Sequence, residues 1–116
     1  MTTIYGIKNC DTMKKAFVWL NGQTISYEFH DYKKQGVDEK ILNQAINEHG
    51  WENVINKRGT TWRNLPDRVK ETMDNTKAIN IAHENSSIIK RPLLLHNGQT
   101  HLGFKSETYA EIFQGI

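Results

Sequence analysis

The sequence predicts an α/β protein in which two short halves, β-α-β and β-β-α, share one four-stranded mixed sheet. Three observations predict it. A short apolar run over residues 4–7, broken by Gly6, hands over to a helical pattern just after the one cysteine, Cys10. Ile25, Tyr27 and Phe29 then alternate with Ser26, Glu28 and His30, the period of a half-buried strand. Near the other end, Leu93-Leu94-Leu95 and residues 100–104 flank Asn97-Gly98, a two-residue hairpin signal. Helical patterns fill the middle, so a helical insertion over about residues 38–85 separates the halves.

Each element has its own justification. Residues 2–7 form the first strand. The first helix carries apolar residues at Met13, Phe17 and Leu20 and stops at Asn21-Gly22, both tolerant of a left-handed cap. The second strand covers residues 25–30, and a strand-helix-strand order implies a parallel pair. Residues 31–36 read as a polar connection. Asp38 is placed to cap a helix with Ile41, Leu42, Ala45 and Ile46 on one face, closed by Gly50. A short helix over 51–55, a loop over 56–61, a helix from Asp67 behind Pro66 and a helix over 75–84 complete the insertion. Ser106 is placed to cap the last helix, with Glu107 in its first turn and Tyr109, Ile112 and Phe113 along one side. The order matches a thioredoxin layout with its middle expanded.

The 116 residues suit one domain, large enough for a core without disulfide staples. Fifteen basic against 13 acidic side chains leave a net charge of +2, too little to imply direct nucleic-acid contact. One cysteine allows no internal disulfide and suits a reducing compartment. No charged leader followed by an apolar segment opens the chain and no apolar run is long enough to span a bilayer, so a cytoplasmic monomer is expected. The five histidines show no tight ligand spacing, and no metal site is expected.

Cys10 carries the chemistry. It falls where a strand hands over to a helix, and unpaired N–H groups with the positive dipole end favour an anion there. A thiolate is such an anion, and Lys8, Lys14 and Lys15 add positive charge nearby. Most cysteines without a partner are simply small apolar core residues, so position is the argument for reactivity.

Three stretches resemble a known family. Residues 4–12 (Ile-Tyr-Gly-Ile-Lys-Asn-Cys-Asp-Thr), Arg58-Gly59-Thr60-Thr61-Trp62-Arg63 and Ile89-Lys90-Arg91-Pro92-Leu93-Leu94 resemble the ArsC/Spx family, above all its YffB-like branch. The resemblance runs from residue 2 to about residue 110. It implies a thioredoxin-like fold with a helical insertion. It also implies that Cys10 is a nucleophile and that Arg58 and Arg91 are oxyanion-binding arginines, with Arg91 directly before a proline, Pro92, that is usually cis in such folds. Two departures matter. Phe104 stands where arsenate reductases of the family carry a third arginine, with Lys105 beside it. Met13 stands where Spx regulators commonly carry the second cysteine of a Cys-x-x-Cys switch.

One thiol can attack a sulfur or an oxyanion but needs an outside thiol to resolve the product. The expectation is a monothiol, glutathione-dependent reductase with no tightly bound cofactor, taking glutathione or a glutaredoxin-type donor as its partner. Arg58 and Arg91 would hold a carboxylate or oxyanion. Lys8 would add field, and Asn9 and Thr12 would orient the sulfur or cap its helix. Two alternatives stand beside it: an Spx-like regulator that contacts RNA polymerase, and an oxyanion (arsenate) reductase.

Overall fold

The computed structural model describes residues 1–114. In chain order the elements are β1 (Thr2–Gly6), α1 (Asp11–Gly22), β2 (Glu28–Asp31), α2 (Tyr32–Gln35), α3 (Glu39–His49), α4 (Trp51–Val54) and α5 (Thr60–Arg63). They continue with α6 (Asp67–Glu71), α7 (Asn75–Glu84), a 3-10 turn at Ser86–Ile88, β3 (Leu93–His96), β4 (Gln99–Leu102) and α8 (Ser106–Ile112). They form two compact units, one of Met1–Gln35 with the chain from Arg91 onward, the other of Gly36–Lys90.

The first unit holds the sheet, in the order β2-β1-β3-β4. Strand β1 runs parallel to β2 and antiparallel to β3, and β4 returns antiparallel to β3. This is the four-stranded mixed sheet of a thioredoxin-like α/β fold. Ile4 and Leu94 are partners across β1 and β3, and their side chains meet Met13, Ala16 and Leu20 of α1 and the rings of Tyr109 and Phe113. Spacings of three and four turn the α1 residues to one side, and burying each large aliphatic chain contributes about 2 kcal/mol. Any larger residue at Gly6 would have to displace the Met13 side chain. A Cβ there would stand 2.5 Å from Met13 Sδ and 2.8 Å from its Cε, and Met13 is fully buried. The β3–β4 turn is the predicted one: Asn97 and Gly98 have φ of 51° and 80°, both positive as a type I′ hairpin demands.

The second unit is helical. The Asp38 carboxylate accepts the N–H groups of Lys40 and Ile41 at the start of α3, which buries Leu42, Ala45 and Ile46. Asp74 does the same for Lys77 at the start of α7. The middle of the unit is tied to its end by a bridge between Ile55 and Ile89, with Lys90 N–H donating to the Val54 carbonyl at 2.8 Å.

Several predicted boundaries move. Strand β2 begins at Glu28, not residue 25, because Ile25 N–H still donates to the Leu20 carbonyl at 3.0 Å and Thr24 turns at φ 58°. The polar connection after β2 winds into α2, where Asp31 Oδ1 accepts Lys33 N–H. Part of the predicted loop is the turn α5. Strand β4 ends at Leu102, since Gly103 turns at φ 75°. Ser106 is not the cap of α8. Lys105 holds that position, and the Ser106 hydroxyl donates to Glu107 Oε1 at 3.1 Å. Among the described residues no helix is long and apolar enough to cross a membrane.

Candidate functional site

Cys10 is the N-cap residue of α1, in extended backbone at φ −137° and ψ 128°, and its carbonyl accepts Lys14 N–H at 2.9 Å. The close fit of Gly6 on Met13 sets the first turn of α1 against the end of β1, which fixes where this residue stands. Strand register brings its neighbour. Tyr5 pairs with Leu93 in antiparallel β1 and β3, so the chain leaving β1 runs beside the chain entering β3. That segment is Arg91-Pro92, joined by a cis peptide bond, with Pro92 buried and its carbonyl accepting Gly103 N–H at 2.9 Å.

The electrostatics at the sulfur follow from these placements. Partial burial pushes the Cys10 thiol up, but the N–H of Met13, the Arg91 guanidinium and the N–H of Thr12 together outweigh it and hold the thiol below its ordinary value. The side chain makes no capping hydrogen bond of standard geometry. The N–H groups therefore act on the sulfur mainly as aligned dipoles, with Arg91 supplying the full charge.

The structure brings Cys10, Thr12, Arg91 and Pro92 together in the first unit. Thr12 contributes its backbone N–H. Lys8 and Asn9 are exposed and line a surface groove that starts beside the thiol loop. Arg58 belongs to the second unit. It is exposed on the turn before α5, where its N–H donates to Asn56 Oδ1 at 3.3 Å. Its neighbour Lys57 lies over the rings of Trp51 and Trp62, at 4.8 and 5.8 Å. Phe104 packs edge-on against Tyr109 at 4.7 Å between ring centres, so it is part of the core rim of the first unit. Among the described residues no three His, Cys, Asp or Glu side chains gather as metal ligands.

A half-buried sulfur held toward its anion, beside one guanidinium, is suited to nucleophilic attack on an electrophilic sulfur. The sequence reading did not single out Met13 N–H as a contributor at the sulfur, nor Phe17, Tyr27 and Phe29 as the lining of the adjoining groove. The signal for the groove was present in the spacing Lys14, Phe17, Asn21, which follows one face of a helix.

The chain is similar to known proteins along nearly its whole length. A protein of Haemophilus influenzae described as uncharacterized is 46% identical over 113 residues, covering 97% of this chain and 99% of its own. The solved structure of the YFFB (PA3664) protein is also 46% identical, covers 97% of this chain and 98% of its own, and superposes with a TM-score of 0.92. The global transcriptional regulator Spx of Streptococcus mutans is 26% identical over 109 residues, 92% of this chain and 79% of its own. The profile of the ArsC family matches residues 5–112, and a match that runs from the first strand through the thiol loop and the Arg91-Pro92 turn to the last helix makes this chain a member of that family.

Proposed function

We propose that this protein is a monothiol reductase of the arsenate reductase-like kind, with Cys10 as its nucleophile and glutathione as its reducing co-substrate. The observation that carries the reading is the sulfur's setting: amide N–H groups of Met13 and Thr12 and the Arg91 guanidinium hold the thiol toward its anion. The Cys10 thiolate attacks one sulfur of a disulfide. A new S–S bond forms, the old one breaks, and the leaving sulfur takes the electron pair and then a proton. Glutathione attacks the mixed disulfide in turn, restores the Cys10 thiol and is itself oxidised. This chemistry needs an outside thiol because Met13 occupies the position from which a second cysteine would act. It also fits a reducing, cytoplasmic setting.

Arg91 has a second role in this reading. As a planar fork it holds a glutathione carboxylate once the sulfur is engaged, and Arg58 supplies the other fork. Alkylation at about pH 6, well below the ordinary range of a free thiol, tests the nucleophile. Cys10 is expected to react faster than a free peptide cysteine, and an equal rate overturns the claim. Loss of disulfide turnover in Cys10→Ser, with NMR shifts around Cys10 and Arg91 at millimolar glutathione, tests the co-substrate; unchanged spectra would remove glutathione from the proposal.

The likeness to Spx supports a second reading, a regulator that docks on RNA polymerase. The two separate at Cys10→Ser, which ends a reductase and leaves a docking protein bound to its partner. Arsenate reduction is the third. It is weakened by Phe104, which offers an oxyanion no donor and is committed to packing on Tyr109.

A further inference from the structure

Beside the thiol loop, the first unit carries a groove of about 450 Å³, within the size range of small-molecule sites. Its position follows from α1. Lys14, Phe17 and Asn21 succeed one another at spacings of three and four, so the groove runs along one face of α1, and Lys8 and Asn9, the two residues before Cys10, line its end at the thiol loop. The rings of Phe17, Tyr27 and Phe29 form its floor. Phe17 stacks on Tyr27 at 5.8 Å and meets Phe29 edge-on at 5.0 Å, all three half-buried against the core. The Tyr27 hydroxyl donates to Asn21 Oδ1 at 3.3 Å, which holds the far end. The exposed rim at the thiol end is Lys8, Asn9 and Lys14. No described acidic residue lines the groove.

We propose that this groove is the specificity subsite of the reductase, and that it holds the half of a small disulfide substrate that becomes joined to Cys10: an aromatic group bearing a carboxylate. The rings take the aromatic face, and Lys8 and Lys14 take the negative charge. The Cys10 thiolate attacks the sulfur attached to this group. The Sγ–S bond forms, the substrate's own S–S bond breaks, and the other half departs with the electron pair as a thiolate and takes a proton from water. Glutathione then cleaves the Cys10 mixed disulfide. This assignment rests on Cys10 being the nucleophile. It adds what that reading lacks, a chemical class of substrate.

Four disulfides separate its parts: dithiobis(nitrobenzoate), aromatic and anionic; dithiodipyridine, aromatic and neutral; dithiodiglycolate, aliphatic and anionic; and hydroxyethyl disulfide, neither. Each rate with the reduced protein is divided by its rate with a free cysteine peptide, which removes the intrinsic leaving-group difference. The normalised rate for dithiobis(nitrobenzoate) is expected to exceed each of the others by about fivefold or more, from ring contact and two screened charges. Raising salt narrows its lead over dithiodipyridine. Lys14→Glu, at an exposed position, slows dithiobis(nitrobenzoate) by a factor about fivefold larger than it slows hydroxyethyl disulfide. In the Cys10 adduct, ring signals of Phe17 and Tyr27 shift in NMR spectra, a readout that needs no variant. If Cys10 is no faster than the peptide with all four, the nucleophile reading falls and the subsite with it. If Cys10 is fast but the four normalised rates agree within about twofold, the subsite alone falls. Equal rates for the two aromatic reagents overturn the carboxylate assignment.

Discussion

Arg91 and Arg58 are the same residue type and resemble the same pair of anion-binding positions, yet the chain holds them in different ways. Arg91 is half-buried, precedes a buried proline and enters a central strand of the sheet. Its place is fixed by pairing between strands far apart in sequence, Tyr5 with Leu93 and Ile4 with Leu94. Arg58 is exposed, on a turn held locally by Asn56 and by the stack of Lys57 on two tryptophans. A guanidinium fixed beside a sulfur lowers the energy of the thiolate before any ligand arrives. One on an exposed turn is screened by water until a ligand anion meets it. The difference separates two tasks that a shared motif makes look alike: in the proposed reading Arg91 sets the nucleophile, and Arg58 meets the ligand.

The contrast is broken most severely at Gly6. A methyl group there collides with Met13 Sδ, and Met13 is fully buried, so it has little room to yield. Gly6→Ala is expected to cost about 2 kcal/mol of stability, as overpacked cores do, read from the urea midpoint. It should also slow Cys10 alkylation, because the displaced turn of α1 carries the N–H groups that face the sulfur. A Gly6→Ala protein of native stability and native thiol rate would show that this close fit does not position the site.

The arginines themselves come next. Arg91→Ala is expected to slow Cys10 alkylation at about pH 6 by about tenfold, and Arg58→Ala by less than about twofold. Arg91→Lys should recover part of the loss, since it keeps charge without the planar fork. The sign of the linked stability follows from the direction of the shift. The folded state holds the thiol below its reference value of 9.0, so folding favours the thiolate. The native chain therefore gains stability as pH rises from the folded value toward 9.0 and loses that gain as pH falls through the folded value. Urea midpoints at neutral pH and near pH 9 should show the gain in the native chain, a smaller one in Arg91→Ala and none in Cys10→Ser. Equal effects of the two alanine variants on thiol rate would erase the division of tasks.

What could be read in advance follows the same division between local and distant causes. The Asp38 cap, the Asn97-Gly98 turn and the strand-to-helix junction at Cys10 are written in adjacent residues, and each is present in the structure. The turns α2 and α5 were not legible. Each is a single turn of mostly polar residues with no apolar period, and Gly59 before α5 offers no side-chain cap. Residues 25–27 alternate as a strand does, but Ile25 is still bonded to the end of α1 and pairing begins only at Glu28. At the site, Cys10 could be picked out by its position alone. Arg91 could be named only through a motif, because its approach to the sulfur depends on the β1–β3 register.

The smallest effect tests the exposed side of the comparison. Lys57 lies over Trp51 and Trp62, whose rings stack at 6.0 Å between centres, and this clamp holds the turn that carries Arg58. Lys57→Ala is expected to cost about 0.5–1 kcal/mol, the usual worth of an exposed cation–π contact, with Lys57→Arg retaining most of it. Because Arg58 acts on the ligand in this account, loosening its turn should raise the KM for glutathione while leaving the alkylation rate of Cys10 unchanged. Arg91→Ala should do the reverse to the thiol, slowing it even with no glutathione present. If Lys57→Ala slows alkylation as much as it weakens glutathione use, the division of tasks between Arg91 and Arg58 falls.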